Sequence, residues 1–452
     1  MRRLAGGLLA GVLAACASAP TPAPAAPTAA PSLGPTANVT AAATPTPTPT
    51  NTCVATSPAT FNQCGIAVQA GRFTIIEVQG RIDCGKADPC SIEVHDRGFV
   101  LRGTPGAVIR RTAGHDKPLV AAIGGSRFVV QDLTIDEDVD IACLPVQPTN
   151  PPVENAACAL TFNIYGVGET IADHLTVIGS KSVAFHVTGG DTLVVRHARF
   201  VRSFLFGLQV DNLAHGLVVE DSLFSGIDSN AMVLYALHGT ADAPLLIRNT
   251  LFDHNHRADV YWMCGPDGDK RCSGGQLLLV AELDFVRVEG TIIRNGMSDV
   301  DDAPVAGVEI NFPAIHDIAF VGDDVHDNTM WGISVNSQPT DVSRITFTGT
   351  KLYGNATDPN YLGQQIGNFK EGHVAYTEVG DCSTPDCTTV PFGGLWALPG
   401  HVSWLSNDLA TPNVTVDGVP ASTDADGDLE VASGSQVVLF DGTTELDRLI
   451  VP

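Results

Sequence analysis

A group of side chains in the middle of the chain could perform acid/base chemistry on a sugar. They are Asp228, His254, His256, Arg257, Asp259, Tyr261 and Glu309. Two carboxylates can act as general acid and general base on a glycosidic bond, and a phenol ring can stack on a sugar ring. We therefore predict that Asp259 and Glu309 form an acid/base pair. His256 or Asp228 would assist this pair, and the substrate would be bound by Tyr261, His254 and Arg257.

The same cluster also has a structural explanation. Histidine and aspartate occur often in the exposed turns of repeat proteins, and Arg257 with Asp259 could form a surface ion pair. No nucleophile motif is found, which argues against serine or cysteine catalysis. Two hypotheses remain open from the sequence. One is an enzyme that cleaves a polysaccharide by hydrolysis or elimination, and the other is a non-catalytic binding or structural protein of the cell envelope.

The charge of the chain limits its partners. The sequence has 25 Lys and Arg against 50 Asp and Glu, a net charge of −25. Such a chain repels nucleic acid, which is excluded as a partner, and a uronic-acid polymer would need Ca²⁺ or a basic patch to bind. The acidic stretches 136–140 and 299–302 could hold Ca²⁺ through carboxylate oxygens, although solvated loops explain them more simply.

Short repeated strands must position the candidate site. Segments such as Val219-Glu-Asp-Ser-Leu-Phe224 and Ile247-Arg-Asn-Thr-Leu-Phe252 recur, and each closes on an apolar residue. The closing residues are Ile135, Val177, Phe200, Phe224, Phe252, Ile293, Val325 and Leu352. Their short intervals match one coil of a β-solenoid, and the long intervals indicate coils with inserted loops.

A second strand is predicted downstream of each closing residue, where apolar residues alternate at period two. Its inward pairs are Phe185 and Val187, Leu208 and Val210, Met232 and Leu234, Val260 and Trp262, and Ile333 and Val335. Glu309 matches Ser334 in this frame, which predicts that Glu309 lies beside Tyr261.

Two polar columns support the register. Charges of alternating sign precede the closing position by four residues, at Asp173, Arg196, Glu220, Arg248 and Glu289. Stacked strands lie roughly 4.8 Å apart, so each charge would face opposite charges on the neighbouring coils. Asparagines follow the closing position by three residues, at Asn255, Asn328 and Asn355, where the amide of one coil can bond the next.

These repeats resemble the right-handed parallel β-helix, or pectate-lyase-like, superfamily over about residues 70 to 380. Phe99-Val-Leu-Arg-Gly-Thr-Pro-Gly-Ala-Val-Ile109 is similar to an early coil of that family. The resemblance implies an all-β fold with a right-handed parallel β-helix over residues 53–390 and a small C-terminal β cap or module over residues 391–452. A β-sandwich is the alternative, but columns in register over eight coils argue against it.

Known members of that superfamily cleave or epimerise polysaccharides, so the resemblance implies a polysaccharide or envelope glycan as partner. The family's catalytic signatures are missing. Polygalacturonases carry Asn-Thr-Asp, Asp-Asp and Gly-His-Gly on successive coils, and this chain has only Asp301-Asp302. The Arg-centred pattern of pectate lyases is not found, so no catalytic residue of the family carries over.

The N-terminus has the features of an export signal. Met1-Arg2-Arg3 precedes an apolar run, Leu4 to Ala15, that is too short for a stable membrane span. The run ends in Leu13-Ala14-Ala15-Cys16, which resembles the lipobox of bacterial lipoproteins. This implies that residues 1–15 are removed and that Cys16 carries a lipid, with the outer membrane favoured because Ala17 is not Asp. Residues 16–52, rich in Ala, Pro and Thr, would form an extended stalk.

Cysteines other than Cys16 fall in close pairs that an oxidising compartment would join as disulfides. The predicted pairs are Cys53 with Cys64, Cys84 with Cys90, Cys143 with Cys158, Cys264 with Cys272, and Cys382 with Cys387. A metal site formed by the fourth pair with His254 and His256 is the alternative for those two cysteines.

Overall fold

The chain winds through stacked parallel sheets as a right-handed parallel β-helix, which confirms the predicted fold class. The computed structural model describes residues 51–112, 115–138, 159–257, 274–299, 304–311, 314–336, 342–357, 366–367, 373–375, 392–398, 400–407, 412–422 and 429–451. The right-handed sense is that of nearly all parallel crossover connections. These residues lie in one unit that extends from Pro49 to Pro452.

Each coil contributes one strand to each of three sheets. The strands up to the third coil are β1 (Thr52–Ala55), β2 (Ile75–Val78), β3 (Arg81–Cys84), β4 (Ile92–His95), β5 (Phe99–Gly103), β6 (Val108–Arg111), β7 (Val120–Ile123), β8 (Arg127–Asp136) and β9 (Phe162–Tyr165). The next are β10 (Glu169–Ile178), β11 (Phe185–Thr188), β12 (Thr192–Arg196), β13 (Arg199–Val201), β14 (Leu208–Asp211), β15 (Leu217–Glu220), β16 (Leu223–Ser225), β17 (Met232–His238), β18 (Leu245–Arg248), β19 (Leu251–Asp253) and β20 (Gly274–Glu289). The last coils contain β21 (Ile292–Arg294), β22 (Val305–Asn311), β23 (Ile315–Val321), β24 (Asp324–His326), β25 (Ile333–Asn336), β26 (Val342–Thr348), β27 (Lys351–Tyr353) and β28 (Ile366–Gly367), followed by β29 (His373–Ala375).

The sheets are numbered in the order in which a coil passes through them. The first contains β1, β2, β5, β12, β15, β18, β23 and β26. The second contains β3, β6, β13, β16, β19, β21, β24 and β27, and the third contains β4, β7, β9, β11, β14, β17, β22, β25 and β28. Strands β8 and β10 pass through the first and second sheets, and β20 runs from the third sheet into the first sheet of the next coil. The part of the chain that the structure describes thus forms ten coils.

Strand pairing confirms the column of closing residues. Each closing residue pairs with the next, from Ile135 to Leu352. Ile82 and Ile109 extend the column toward the N-terminus. All these residues are buried, and the Phe224 ring stacks on the phenylalanines of both neighbouring coils with centroids 5.0 Å apart. The column is the spine of the core.

The predicted second strand is correct on four coils and wrong on one. The third sheet contains Phe185 and Val187, Leu208 and Val210, Met232 and Leu234, and Ile333 and Val335, as expected. Met232 and Leu234, however, pair with Leu277 and Leu279 rather than with Val260 and Trp262. Val260 and Trp262 lie outside the described residues, and the strand that pairs with β17 on the following coil is β20.

The predicted asparagines belong to a buried chain of amides, termed the amide ladder and formed by Asn255, Gln276, Asn328 and Asn355. Hydrogen bonds of 2.8 Å run from Asn255 Nδ2 to Gln276 Oε1, from Gln276 Nε2 to Asn328 Oδ1, and from Asn328 Nδ2 to Asn355 Oδ1. Gly296 occupies the ladder position of the intervening coil. A Cβ atom there would lie 2.6 Å from Asn328 Oδ1, so glycine leaves the space that Gln276 fills.

The charged column is in register across five coils, as predicted. Its ion pairs form in twos: Arg196 Nη2 lies 2.9 Å from Asp173 Oδ2, and Arg248 Nε donates to Glu220 Oε2 at 2.8 Å. Glu289 is held by Arg287 of its own strand at 3.0 Å. The column therefore aligns the coils. Its charges do not, however, form equally strong ion pairs with both neighbouring coils.

Helix α1 (Pro58–Gln69) closes the N-terminal end of the solenoid. Ser57 caps it by accepting a hydrogen bond from the Thr60 N–H, and proline occupies the first turn, where its missing N–H costs nothing. The buried face of the helix joins the solenoid core through Phe61 and Val68. Disulfides join Cys53 to Cys64 and Cys84 to Cys90, which confirms two predicted pairs and is typical of an exported protein.

The C-terminal strands form a small antiparallel module, as expected from the sequence. They are β30 (Phe392–Leu398), β31 (His401–Asn407), β32 (Pro412–Val416), β33 (Val419–Ala421), β34 (Leu429–Glu430), β35 (Gln436–Asp441) and β36 (Thr444–Ile450). β31 pairs in parallel with β26, so it extends the first sheet beyond the last coil. The module has its own apolar core, which includes Leu395, Val402, Val437 and Leu439.

Several predicted features lie outside the described residues. They include the signal peptide, Cys16 and most of the stalk. Three of the five predicted disulfides also lie there and stay predictions: Cys143 with Cys158, Cys264 with Cys272, and Cys382 with Cys387. Within the described ranges, none of the helices has the length and apolar character needed to cross a membrane.

Candidate functional site

Five of the seven predicted site residues can be placed, and all five lie on or next to the turns and strands of the third sheet. They are Asp228, His254, His256, Arg257 and Glu309. Asp259 and Tyr261 lie outside the described residues. The five separate into a charged surface group and a buried pair.

Asp299 joins the surface residues into one charged group, termed the Arg257 cluster and formed by Asp228, His254, Arg257 and Asp299. Arg257 Nε donates to one Asp299 carboxylate oxygen at 2.7 Å, and the other oxygen lies 2.8 Å from His254 Nε2. The Asp299 N–H also donates to the Arg257 carbonyl oxygen at 2.7 Å. The side chains of His254, Arg257 and Asp299 are 31% to 39% exposed, so a ligand can reach them.

The two carboxyl groups of the cluster have pKa values displaced in opposite directions. Burial raises the pKa of Asp228, an effect that the Arg257 guanidinium and the Lys181 ammonium group partly offset. Burial acts on Asp299 in the same sense, but hydrogen bonds from Arg257 and His254 bring its pKa below the ordinary value. Pairs of carboxyl groups whose environments displace their pKa values in opposite directions are found in acid/base sites.

The buried pair, His256 and Glu309, packs against Gly274 and Gly275 at the start of β20. A Cβ atom on Gly274 would lie 2.2 Å from His256 Cε1, and one on Gly275 would lie 2.8 Å from Glu309 Cβ. Only glycine therefore fits at both positions without displacing the two side chains. His256 and Glu309 are 4% and 5% exposed, and Asn311 Nδ2 donates to Glu309 Oε1 at 3.1 Å.

Glu309 lies in an outward position of the third sheet, between Leu278 and Ser334. The match with Ser334 confirms the prediction. The neighbour on the preceding coil is Leu278 of β20 rather than Tyr261, which lies outside the described residues. The acid/base pair of Asp259 and Glu309 stays a prediction, since Asp259 is outside the described residues.

A row of outward side chains on the third sheet escaped the sequence analysis. Tyr165, Thr188, Asp211 and Tyr235 pair in register on four successive coils, and they are termed the tyrosine row. His186 stands beside the row, with Nε2 2.8 Å from Asp211 Oδ2 and 2.9 Å from Thr188 Oγ1. The row therefore has a hydrogen-bonding centre between two phenol rings.

The phenol rings of the row are open to solvent. Tyr165 is 58% exposed and Tyr235 is 38% exposed. They are three coils apart, which corresponds to roughly 14 Å at the spacing of stacked strands. A signal for this row exists in the sequence, because each member directly follows the second inward residue of its strand. It becomes visible only after the register of the third sheet is known.

The described carboxylates of the acidic stretches are already paired with cations. Asp136 lies 3.3 Å from Arg110, Glu137 lies 2.8 Å from Arg111, and Asp138 lies 2.9 Å from Arg202. Asp299 is held by the Arg257 cluster. This pairing leaves little negative charge for Ca²⁺ at these four positions, and the other acidic residues of the two stretches lie outside the described ranges.

No protein-family model matches the chain, and no curated protein matches it. Among solved structures, it is similar to the A-module of the mannuronan C-5 epimerase AlgE4 of Azotobacter vinelandii, with a TM-score of 0.43, 16% identity, and coverage of 70% of this chain and 78% of that chain. The AlgE6 A-module of the same organism gives a TM-score of 0.40 at 13% identity, with coverage of 70% and 77%. The periplasmic alginate epimerase AlgG gives 0.37 at 10% identity, with coverage of 65% and 74%.

Proposed function

We propose that this protein binds an extended polysaccharide along the tyrosine row and that the Arg257 cluster performs acid/base chemistry on the bound chain. The register of the row carries the proposal, because two exposed phenol rings flank His186, Thr188 and Asp211 on consecutive coils. Phenol rings bind the apolar faces of sugars, while imidazole, hydroxyl and carboxylate groups bind their hydroxyls. A ligand along the row would lie parallel to the solenoid axis.

The ligand class follows from charge. A net charge of −25 and the carboxylate of Asp211 at the centre of the row disfavour a polyanion. We therefore propose a neutral glycan as the ligand. Mannuronan, which appears in the name of the two epimerases above, is a polyanion and serves as the contrasting probe with and without Ca²⁺.

Mass spectrometry of the mature N-terminus tests whether Cys16 carries the lipid that would place this activity at the cell envelope.

Removing both exposed phenol rings is expected to weaken glycan binding. Each stacked ring contributes about 0.5–1.5 kcal/mol, so the Tyr165→Ala/Tyr235→Ala variant should bind at least about fivefold more weakly in calorimetric titrations with a panel of neutral polysaccharides. The control is Ile66→Ala, a 65% exposed apolar residue on α1. Unchanged affinity in the double variant would show that the tyrosine row is not the binding site.

The acid/base role is tested by Asp228→Asn, which keeps the shape of the side chain and removes its proton donor. Turnover should fall about 100-fold with little change in affinity, because general acid catalysis contributes at least that much. Product is measured as new reducing ends and as the ultraviolet absorbance of an unsaturated sugar, and exposed Asp242→Asn is the control. Binding of a glycan without release of product would instead identify a non-catalytic binding protein. Full activity in Asp259→Ala/Glu309→Ala would exclude the pair predicted from the sequence.

A further inference from the structure

We infer that the bend between the first and second sheets holds a divalent transition-metal ion, with Asp173, His174 and His197 as ligands. Each of these side chains offers one ligand atom, and the three atoms lie within 4.8 Å of one another. Across the part of the chain that the structure describes, this is the group of His, Cys, Asp and Glu side chains that meets this condition. The group lies away from the third sheet, so the inference goes beyond the proposed glycan site.

The distances from the carboxylate oxygen to the two ring nitrogens fit a shared metal ion. Asp173 Oδ1 lies 2.8 Å from His174 Nδ1 and 3.1 Å from His197 Nδ1. The two imidazole rings stack with centroids 4.4 Å apart and an interplanar angle of 28°, so both Nδ1 atoms face the same carboxylate oxygen. Metal–nitrogen bonds of about 2.0–2.1 Å place neighbouring ligand atoms roughly 3 Å apart, which matches these distances.

Both histidines occupy the left-handed turn position of their coils. His174 and His197 have φ angles of 51° and 50°, which histidine adopts more readily than most residues other than glycine. Other coils fill the same position with Asp132, Asp221, Asn249, Gly290, Gly322 and Gly349. The turn therefore places two imidazole rings one above the other on consecutive coils.

The surrounding charges favour a dication. Arg196 binds Asp173 through Oδ2 at 2.9 Å, so Oδ1 faces the histidines. The Asp221 carboxylate lies 4.0 Å from His197 Nε2, and Asp132 takes the same turn position on the coil before His174. The two imidazole rings are therefore surrounded by three carboxylates and one guanidinium group, so negative charge exceeds positive charge there. Imidazole nitrogens select Zn²⁺, Cu²⁺ or Ni²⁺ over Ca²⁺ and Mg²⁺, which prefer oxygen.

The site is open to solvent, which distinguishes it from a closed structural metal site. The side chains of Asp173, His174 and His197 are 20%, 59% and 45% exposed. An ion held by three protein ligands at such a surface keeps at least one position for water or another small ligand. The ion would also link two consecutive coils, because Asp173 and Arg196 are paired across them.

The experiment titrates the full chain, stripped with a chelator, with Zn²⁺ in a calorimeter and loads it with Cu²⁺ for electron paramagnetic resonance. Wild type should bind Zn²⁺, and His174→Ala and His197→Ala should each lower the affinity at least about tenfold, as expected for loss of a ligand. The Cu²⁺ spectrum should show coupling to two imidazole nitrogens in wild type and to one in each single variant. Binding should weaken as the pH is lowered, because imidazole must be deprotonated to ligate.

The control is His215→Ala. His215 is 72% exposed and lies 3.7 Å from Asp191, so it reproduces a surface His–Asp pair. Its removal should leave the Zn²⁺ affinity and the Cu²⁺ spectrum unchanged. Equal affinity in wild type and in His174→Ala/His197→Ala, including no measurable binding in either, would overturn the inference. A Cu²⁺ spectrum that keeps both nitrogen couplings in the single variants would do the same.

Discussion

Replacing Glu137 with Ala is expected to lower the free energy of unfolding by about 4 kcal/mol, because the Arg111 guanidinium then stays buried without its counter-ion. The two side chains are each 3% exposed, and Arg111 Nη1 lies 2.8 Å from Glu137 Oε1. Thr161 Oγ1 donates to the other Glu137 oxygen at 2.8 Å. Arg111 Nη2 donates to the Lys117 carbonyl oxygen, which holds the guanidinium in place.

The neighbouring His115 shows how unfavourable a second buried positive charge is at this point. Burial and the charge of Arg111 lower the pKa of His115 to about 4. An unneutralised Arg111 faces the same environment, whereas an exposed ion pair can be replaced by water. The control is therefore Glu169→Ala, whose partner Arg127 lies 2.6 Å away with both side chains at least 36% exposed. Surface pairs of this kind contribute about 1 kcal/mol or less.

Urea-induced unfolding measures the difference between the two variants. Arg111→Met/Glu137→Ala should recover part of the loss, since the double variant buries no unpaired charge. If Glu137→Ala costs no more than Glu169→Ala, the buried ion pair does not stabilise this part of the solenoid.

The second large effect is expected at the centre of the amide ladder. Asn328→Ala should lower the free energy of unfolding by about 3 kcal/mol, because each buried polar group left without a partner costs about 1–3 kcal/mol. Asn328 Oδ1 accepts from Gln276 Nε2 and from the Gly296 N–H at 2.8 and 2.9 Å. Its Nδ2 donates to Asn355 at 2.8 Å. All of these groups lose a partner in the variant.

Asn163→Ala is the matched control for the ladder, because this asparagine lies half-buried on the outer face of the third sheet. Its removal should change the free energy of unfolding by about 0.5 kcal/mol or less, as is usual for surface substitutions. A loss at Asn328 as small as the loss at Asn163 would mean that water satisfies the ladder amides in the variant.

The solenoid could be predicted because its side chains repeat at fixed positions of each coil. The closing residues and the asparagines were found in this way. Gln276 was not found, because it lies on β20 and not at the fixed spacing from a closing residue. Its side chain fills the level of the ladder at which the next coil has Gly296. The predicted pairing of Met232 and Leu234 with Val260 and Trp262 was wrong for a related reason, since Leu277 and Leu279 on β20 take those places. A fixed spacing holds only where no segment is inserted, and the sequence does not mark where an insertion ends.

The candidate site was predicted less completely because its contacts join distant residues. Asp299 organises the Arg257 cluster but lies 42 residues after Arg257 in the sequence, where it stood out only as part of an acidic stretch. The negative charge of Asp299 also helps to raise the pKa of Asp228, an effect of proximity in the fold that no local sequence pattern indicates. The tyrosine row has a local pattern, yet its members become neighbours only when the coils are stacked.

The elements at the two ends of the solenoid have a consequence for solubility. Parallel sheets expose unpaired N–H and C=O groups wherever a stack of strands stops, and such edges template association with other chains. Here α1 packs across β1, β2 and β4 at one end, and the antiparallel pair β30 and β31 continues from β26 at the other. The two terminal elements therefore act as barriers to end-to-end fibril growth, a hazard that the regular stacking of the coils would otherwise create.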